Sequence, residues 1–199
     1  PRSTRVRSSA ASDVYKRQDM GDYERALYYC KQAISLDSTD TDYIFYKANI
    51  EDNAGNTKDA IATMDCFLQK KPDEGYGYYR RGWFKDHSGD TDGAIEDYTL
   101  CITMKPEYAY CYLNRGVLYR LKGDMKAAES DFQQVIKLDS VEGKMECAQY
   151  AYYYLGNKER AIEITDSILT KNDKGDFYDA ACLYSIMGAV SYTHLTLPT

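Results

Sequence analysis

The chain has 199 residues, a formal net charge of −6 at pH 7, 44% hydrophobic residues and 21 tyrosines. That length suits one domain or one short repeat array, and the apolar fraction is large enough to bury a core. Net acidity without a basic run argues against nucleic acid as the main partner. No apolar run reaches the roughly 18 residues that a membrane-spanning helix needs. Only 4 prolines and abundant aromatic residues exclude a disordered chain.

The two ends of the chain resemble translated adapter DNA. Residues 13–18 (DVYKRQ) are what one strand of a sequencing transposon's mosaic end encodes, and residues 190–195 (VSYTHL) correspond to the complementary strand. We therefore interpret residues 1–18 and 190–199 as adapter-derived, and residues 19–189 as the native part of a bacterial, metagenomic fragment. Without the flanks, 20 basic and 30 acidic residues remain, a net charge of −10. The true termini, and any signal peptide or further domains, would then lie outside this sequence.

The native stretch repeats with a period of about 34 residues. Glycines mark the period, and an alanine follows most of them at a constant distance: Gly21, Gly55, Gly89, Gly123, Gly156 and Gly188, with Ala26, Ala60, Ala94, Ala128 and Ala161. An Asp or Asn directly after most of these glycines indicates a helix that ends in the left-handed conformation before a capped second helix. Prolines such as Pro72 and Pro106 are expected to end that second helix. Each unit is thus predicted to be a helical hairpin that stacks on its neighbours.

In chain order, we predict a lone second helix at about 22–36, full repeats at 41–74, 75–108, 109–142 and about 143–175, and a first helix at about 176–188. The repeat at 143–175 is one residue short, and Gln149 stands where the other repeats carry a small residue. The register of its first helix therefore stays open.

Two blocks carry a specific resemblance. Six positions of the third full repeat and six of the second have the residue types of a tetratricopeptide repeat: Tyr112, Gly116, Tyr119, Gly123, Ala128 and Phe132, and Tyr78, Gly82, Gly89, Ala94, Tyr98 and Pro106. The resemblance covers essentially all of residues 19–189. It implies an all-α fold, a right-handed α-solenoid of stacked antiparallel helix hairpins (a TPR superhelix). Glu51 and Lys85 depart from it, because an aromatic residue usually occupies their position.

No catalytic, cofactor or metal site is predicted. The six cysteines (Cys30, Cys66, Cys101, Cys111, Cys147 and Cys182) form no C-x-x-C pair and have no histidine at zinc-ligand spacing, so they are interpreted as unpaired core residues. His87 is the single native histidine, and no nucleophile motif accompanies it. Unpaired thiols favour a cytoplasmic location, with the periplasm or cell envelope as the alternative.

The resemblance implies that the first helices line a concave peptide-binding groove. Helical phasing predicts the side chains that face it: Phe45, Asn49, Asp52, Tyr76, Tyr79, Trp83, Asp86, His87, Tyr110, Leu113, Val117, Arg120, Glu146, Tyr150 and Tyr153. These residues are largely aromatic with scattered acids, whereas Tyr112 and Tyr119 are expected to be packing residues. We therefore expect a groove for an apolar, aromatic-compatible peptide or partner protein of basic character.

The leading hypothesis is a non-enzymatic scaffold for protein–protein interaction, without cofactors, nucleic acid or a membrane segment. Two alternatives stay open at this point. The repeats could be a non-catalytic appendage of a larger enzyme or envelope protein, or they could be a self-association module.

Overall fold

The computed structural model describes residues 22–37, 40–142, 147–169 and Leu183. Over these residues the secondary structure is helical, and no β-strand occurs. The chain divides into two compact units, the first extending to Pro106 and the second beginning at Glu107. The first unit holds α1 (Tyr23–Leu36), α2 (Asp42–Asn53), α3 (Thr57–Lys70), α4 (Gly75–His87) and α5 (Thr91–Met104). The second holds α6 (Ala109–Leu121), α7 (Met125–Glu142), α8 (Ala148–Tyr154) and α9 (Lys158–Leu169).

Within each unit, every helix packs on the helix that precedes or follows it in the chain. Since the connections inside the hairpins are only a few residues long, consecutive helices run antiparallel. The core of the first unit is centred on Met64, Phe67 and Phe84, and that of the second on Phe132 and Val135. The predicted fold class, an all-α solenoid of antiparallel hairpins, is confirmed.

The turns inside the hairpins have the predicted chemistry. Gly55, Gly89, Gly123 and Gly156 adopt φ values of 82°, 86°, 83° and 87°, which is the left-handed region that glycine enters without steric cost. The following Asp90 accepts a hydrogen bond from the Gly93 backbone N–H at 3.0 Å and so caps α5.

Close helix packing explains the small residues of the first helices. A Cβ atom added to Gly82 would lie 3.0 Å from the Tyr98 ring, and one added to Gly116 would lie 2.9 Å from the Phe132 ring. In these two hairpins the helices therefore approach to a distance that a larger side chain at these positions would prevent.

In the second hairpin (α4 and α5) and in the third (α6 and α7), a buried ion pair links the two helices. The Arg81 guanidinium donates to both carboxylate oxygens of Asp97, at 2.8 and 2.6 Å. Arg115 makes the same paired contact with Asp131, at 2.9 and 2.8 Å. Within each pair, the arginine and the aspartate are 16 residues apart in the sequence. The second pair follows the first by one repeat. The 34-residue spacing of Arg81 and Arg115 is a sequence signal for this contact that the glycine and alanine pattern did not reveal.

Similar polar contacts between the two helices of a hairpin explain the two departures from the repeat pattern. Glu51 accepts a hydrogen bond from Thr63 Oγ1 at 2.6 Å, and Lys47 Nζ donates to the same hydroxyl at 2.6 Å. Lys85 Nζ lies 2.9 Å from Asp97 Oδ2. Charged residues can occupy these usually aromatic positions because each has an oppositely charged or hydrogen-bonding neighbour.

The fourth hairpin differs from the others at its start. Helix α3 ends before Pro72 and α5 before Pro106, whereas α7 continues past Ser140 to Glu142. Helix α8 is short, with 7 residues, and its first N–H groups are capped by the preceding helix: Asp139 Oδ2 accepts from Cys147 N and Ala148 N, both at 2.7 Å.

The register of α8 follows from its contacts. Gln149 is buried and its Oε1 accepts a hydrogen bond from Thr165 Oγ1 at 2.8 Å. Tyr154 stacks on Phe132 with the ring centroids 5.1 Å apart. Gln149 therefore takes the small-residue position, as the repeat pattern predicted, and it is accommodated by a hydrogen bond to α9.

The interpretation of all cysteines as unpaired is wrong. Cys101 and Cys111 each take part in a disulfide, whereas Cys30, Cys66 and Cys147 are free. Cys30 and Cys147 are buried as predicted, but Cys66 is exposed. A cytoplasmic location inferred from unpaired thiols thus loses its premise.

Several predicted segments lie outside the described residues. They are the interpreted adapter flanks at 1–18 and 190–199 and most of the first helix predicted at 176–188, of which Leu183 alone is described and is buried. The adapter interpretation stays a prediction.

Candidate functional site

The first unit carries eight of the predicted groove residues on α2 and α4. We call this set the first-unit strip: Phe45, Asn49, Asp52, Tyr76, Tyr79, Trp83, Asp86 and His87. On each helix the members are spaced three or four residues apart, with His87 directly after Asp86, so they share one side of that helix.

Three aromatic rings of the first-unit strip stack in sequence. The Phe45 and Tyr76 centroids are 5.5 Å apart at an interplanar angle of 23°, and the Tyr76 and Tyr79 centroids are 5.6 Å apart at 26°. Tyr76 is 39% exposed, while Phe45 and Tyr79 are half-buried. The rings hold one another in place and leave part of their faces open to solvent.

Arg80 belongs to the same surface, although helical phasing did not select it. Its guanidinium donates to Asn49 Oδ1 and lies 4.8 Å from the centroid of the Trp83 ring. Its Nε is buried and has no hydrogen-bond partner within the part of the chain that the structure describes. Arg80 follows Tyr76 by four residues and precedes Trp83 by three, so its helical spacing from these two residues was the signal that could have identified it.

The acids of the first-unit strip are less available than predicted. Asp52 Oδ1 accepts a hydrogen bond from Thr57 Oγ1 at 2.8 Å, Oδ2 lies 3.6 Å from His87 Nδ1, and the side chain is 7% exposed. Burial raises the pKa of Asp86 above its ordinary value, although nearby His87 opposes the shift. Hence neither Asp52 nor Asp86 is a freely solvated carboxylate, and the sequence-based reason for a basic ligand is weakened.

An open pocket of about 350 Å³ adjoins the aromatic end of the first-unit strip. It is formed by the start of α2, the end of α3 and the start of α4. Its walls combine four aromatic side chains with three charged ones: Phe45, Tyr46, Phe67 and Tyr76, and Asp42, Lys71 and Glu74. We call it the aromatic pocket.

The second unit places its predicted residues in a mixed environment. Val117, Tyr110 and Tyr150 are half-buried against its core, and Leu113 is a core residue that is only 7% exposed. Leu113 therefore offers little surface to a ligand.

The remaining residues of the second unit are more open. Arg120 is exposed and its guanidinium lies 5.5 Å from the Tyr154 ring centroid. Tyr153 is half-buried and packs edge-on against Tyr154. Glu146 lies outside the described residues. Tyr112 and Tyr119, expected to be packing residues, do pack against the core.

Metal-ligand clusters and membrane-spanning helices are both absent over the described ranges. No group of three or more His, Cys, Asp or Glu side chains there could hold a metal ion. No helix in that part of the chain is both long and apolar enough to cross a membrane.

Comparison with solved structures identifies similar folds. A crystal structure of MamA protein is 17% identical, with a TM-score of 0.61 over 96% of this chain and 97% of that one. The thermophilic TPR protein TTC0263 of Thermus thermophilus is 17% identical, with a TM-score of 0.66 over 89% and 98%. A structure of Naa15/Naa10 bound to HypK-THB is 17% identical, with a TM-score of 0.55 over 91% of this chain and 29% of that one. No curated protein sequence matches the chain.

The tetratricopeptide repeat family model matches residues 12–40, 76–108 and 109–141. The second and third matches coincide, within one residue at each end, with two of the predicted repeats. The first match begins inside the flank that we interpret as adapter-derived. Repeats of this family generally serve as non-catalytic scaffolds for protein interaction. From the repeat matches and the hairpin geometry together, we conclude that the chain contains tetratricopeptide repeats.

Proposed function

We propose that this scaffold binds an extended segment of a partner protein along the first-unit strip. The observation that carries the proposal is the stacked series Phe45, Tyr76 and Tyr79 on two successive first helices. Stacked rings present a large apolar surface, and their side chains are already ordered before a ligand binds. Binding therefore buries apolar area with little further loss of side-chain entropy.

Polar groups beside the rings would orient such a segment. Arg80 provides a half-buried guanidinium, and Asn49 is held next to it. A backbone carbonyl of the ligand is an acceptor suited to a guanidinium, because peptide ligands carry one at every residue. The groove residues of the second unit, including Tyr150 and Arg120, are proposed as a further contact region.

The similar structures support a role in assembly. The Naa15/Naa10 structure is a complex bound to HypK-THB. We infer that the present chain likewise acts through a protein partner and that it has no catalytic role of its own.

The test is selection of ligands from a random peptide library on the full chain, followed by calorimetric titration of the selected peptides. Tyr76→Ala removes the middle ring of the stack, and we expect it to weaken binding about tenfold or more, the loss typical of a buried aromatic anchor. Tyr28→Ala is the matched control, because Tyr28 is 58% exposed on α1 and outside the strip.

Trp83 supplies a second readout, since its ring is part of the first-unit strip and is the single tryptophan. Bound peptide is expected to change its fluorescence. If selected peptides bind with Trp83 emission unchanged and Tyr76→Ala behaves like Tyr28→Ala, the proposed strip is refuted. Circular dichroism of both variants verifies that each retains its helices.

A further inference from the structure

The aromatic pocket at the end of the first-unit strip combines aromatic rings with carboxylates in its walls. Phe45 stacks with Tyr76 at 5.5 Å and meets Phe67 nearly edge-on at 5.8 Å, so ring faces and edges converge on one volume. Tyr46 is 40% exposed and Tyr76 is 39% exposed. Two carboxylates, Asp42 and Glu74, belong to the same walls.

We propose that the aromatic pocket is a receptor for a cationic side chain, a guanidinium or an ammonium group, carried by the partner peptide. Aromatic faces attract cations through the negative potential above the ring, and the attraction grows where water is excluded. Carboxylates beside the rings add Coulomb attraction for the same guest. The inference rests on the proposed function and names the chemistry of one anchor of the ligand.

The charge on the walls favours this guest over an anion. Asp42 is exposed, and Glu74 has Lys105 Nζ at 3.9 Å, in a pair whose side chains are 39% and 41% exposed. Such a surface pair contributes little and is easily exchanged. Lys71 is the single cation among the pocket residues, so the walls carry a net charge of −1.

Lys71 already makes the type of contact that the guest would make. Its Nζ lies 6.0 Å from the centroid of the Phe67 ring, within the range of a cation–π interaction. Lys71 is exposed, so its flexible side chain can leave the ring at little cost. The chain's own lysine therefore competes with the guest, and its removal should strengthen binding.

A peptide is the source of the cation because the pocket is continuous with the first-unit strip. Phe45 and Tyr76 form pocket walls and are also two of the three stacked rings. A segment lying on these rings would bring a neighbouring side chain directly to the pocket. This places the basic character of the ligand at Asp42 and Glu74 and not at Asp52 and Asp86.

Small probes test the pocket separately from the strip. We would titrate the full chain with acetyl-arginine-amide and with its neutral isostere, acetyl-citrulline-amide, by NMR of the pocket aromatic signals. The arginine probe should bind at least about fivefold more tightly than the citrulline probe. Tyr46→Ala should reduce this preference, and Lys71→Gln should increase affinity for arginine, whereas Lys58→Gln on an exposed part of α3 should not.

The outcomes separate the two proposals. Equal affinity for the two probes, or an arginine preference that persists unchanged in Tyr46→Ala, overturns the pocket assignment even when library peptides bind the strip. An arginine preference that follows the predicted variants supports the pocket even when no peptide binds, in which case the proposed strip fails alone. Thermal melting of the variants accompanies each titration to establish that they are folded.

Discussion

Asp97 holds together the hairpin that carries most of the first-unit strip, and its replacement by Asn tests how that strip is supported. The residue is 1% exposed. Arg81 donates to both of its oxygens, and Lys85 Nζ lies 2.9 Å from Oδ2. The hydrogen bonds from Arg81 to Asp97 are also the main reason why the pKa of Arg81 is raised. Arg81 keeps its charge even without Asp97, because the ordinary pKa of an arginine side chain lies far above neutral pH.

Asp97→Asn therefore leaves two largely buried cations without their carboxylate. Breaking a buried pair in this way costs about 3–5 kcal/mol. Asp65 still accepts from Arg81 at 2.7 Å, and its side chain is 49% exposed. Because Asp65 remains as a partner, we expect a loss of stability at the lower end of this range, about 3 kcal/mol. This corresponds to roughly a hundredfold change in the equilibrium constant for local opening of the hairpin.

Native-state hydrogen exchange with peptide-level mass spectrometry measures this loss where it occurs. Repeat arrays open locally, so the amides of α4 and α5 should exchange about a hundredfold faster in Asp97→Asn. Glu96→Gln removes one charge from an exposed position of the same helix and should change exchange less than about twofold. An acceleration below about fivefold, or one matched by Glu96→Gln, would refute this account of the hairpin.

Three further predictions concern packing, thiol reactivity and pH. Gly82→Ala should lower stability by about 1–3 kcal/mol in denaturant titration, because its Cβ would lie 3.0 Å from the Tyr98 ring. Burial raises the pKa of Cys30 to about 11, so in the native protein Cys30 should resist alkylation at pH 8 while exposed Cys66 reacts, as followed by peptide mapping. Asp86→Asn should raise the melting temperature at pH 7, since burial penalises its ionised form, and this gain should disappear below about pH 3.8.

Each of these has its own control. Gly116→Ala repeats the Gly82 test in the second unit, where a Cβ would lie 2.9 Å from a Phe132 ring atom, and a neutral effect at both sites would contradict the close-packing explanation. Denaturant should abolish the difference in labelling rate between the two thiols, and equal native rates would show that Cys30 is accessible. For Asp86 the sign is decisive: a folded-state pKa above the ordinary value means that stability is lost as pH rises, so a variant that is destabilised at pH 7 contradicts the burial argument.

Much of the architecture followed from the sequence alone because its causes are local. A glycine such as Gly89 adopts a positive φ, and Asp90 caps the following helix, through contacts between residues that are close in the chain. The proline acts equally locally: α5 ends at Met104, two residues before Pro106, because proline cannot continue the helical hydrogen bonds. A repeat of such signals determines where each hairpin begins and turns.

The functional surface depended on tertiary contacts between distant residues. Arg80 lies beside the first-unit strip because it meets Asn49, which is 31 residues earlier. Asp52 is withdrawn from solvent by Thr57 and by His87 on the next first helix, so a residue that helical phasing placed in the groove is occupied within the protein.

The sequence by itself thus determined the period, the hairpins, their turns and the helix faces, because each is set by backbone geometry within a few residues. Only the tertiary structure decided which charges are paired, which cysteines are bonded and where the aromatic pocket forms. Those properties depend on side chains from different helices. The aromatic pocket, for example, is lined by Tyr46 of α2, Phe67 of α3 and Tyr76 of α4. Periodicity identifies such residues individually, but their meeting depends on how closely the helices pack.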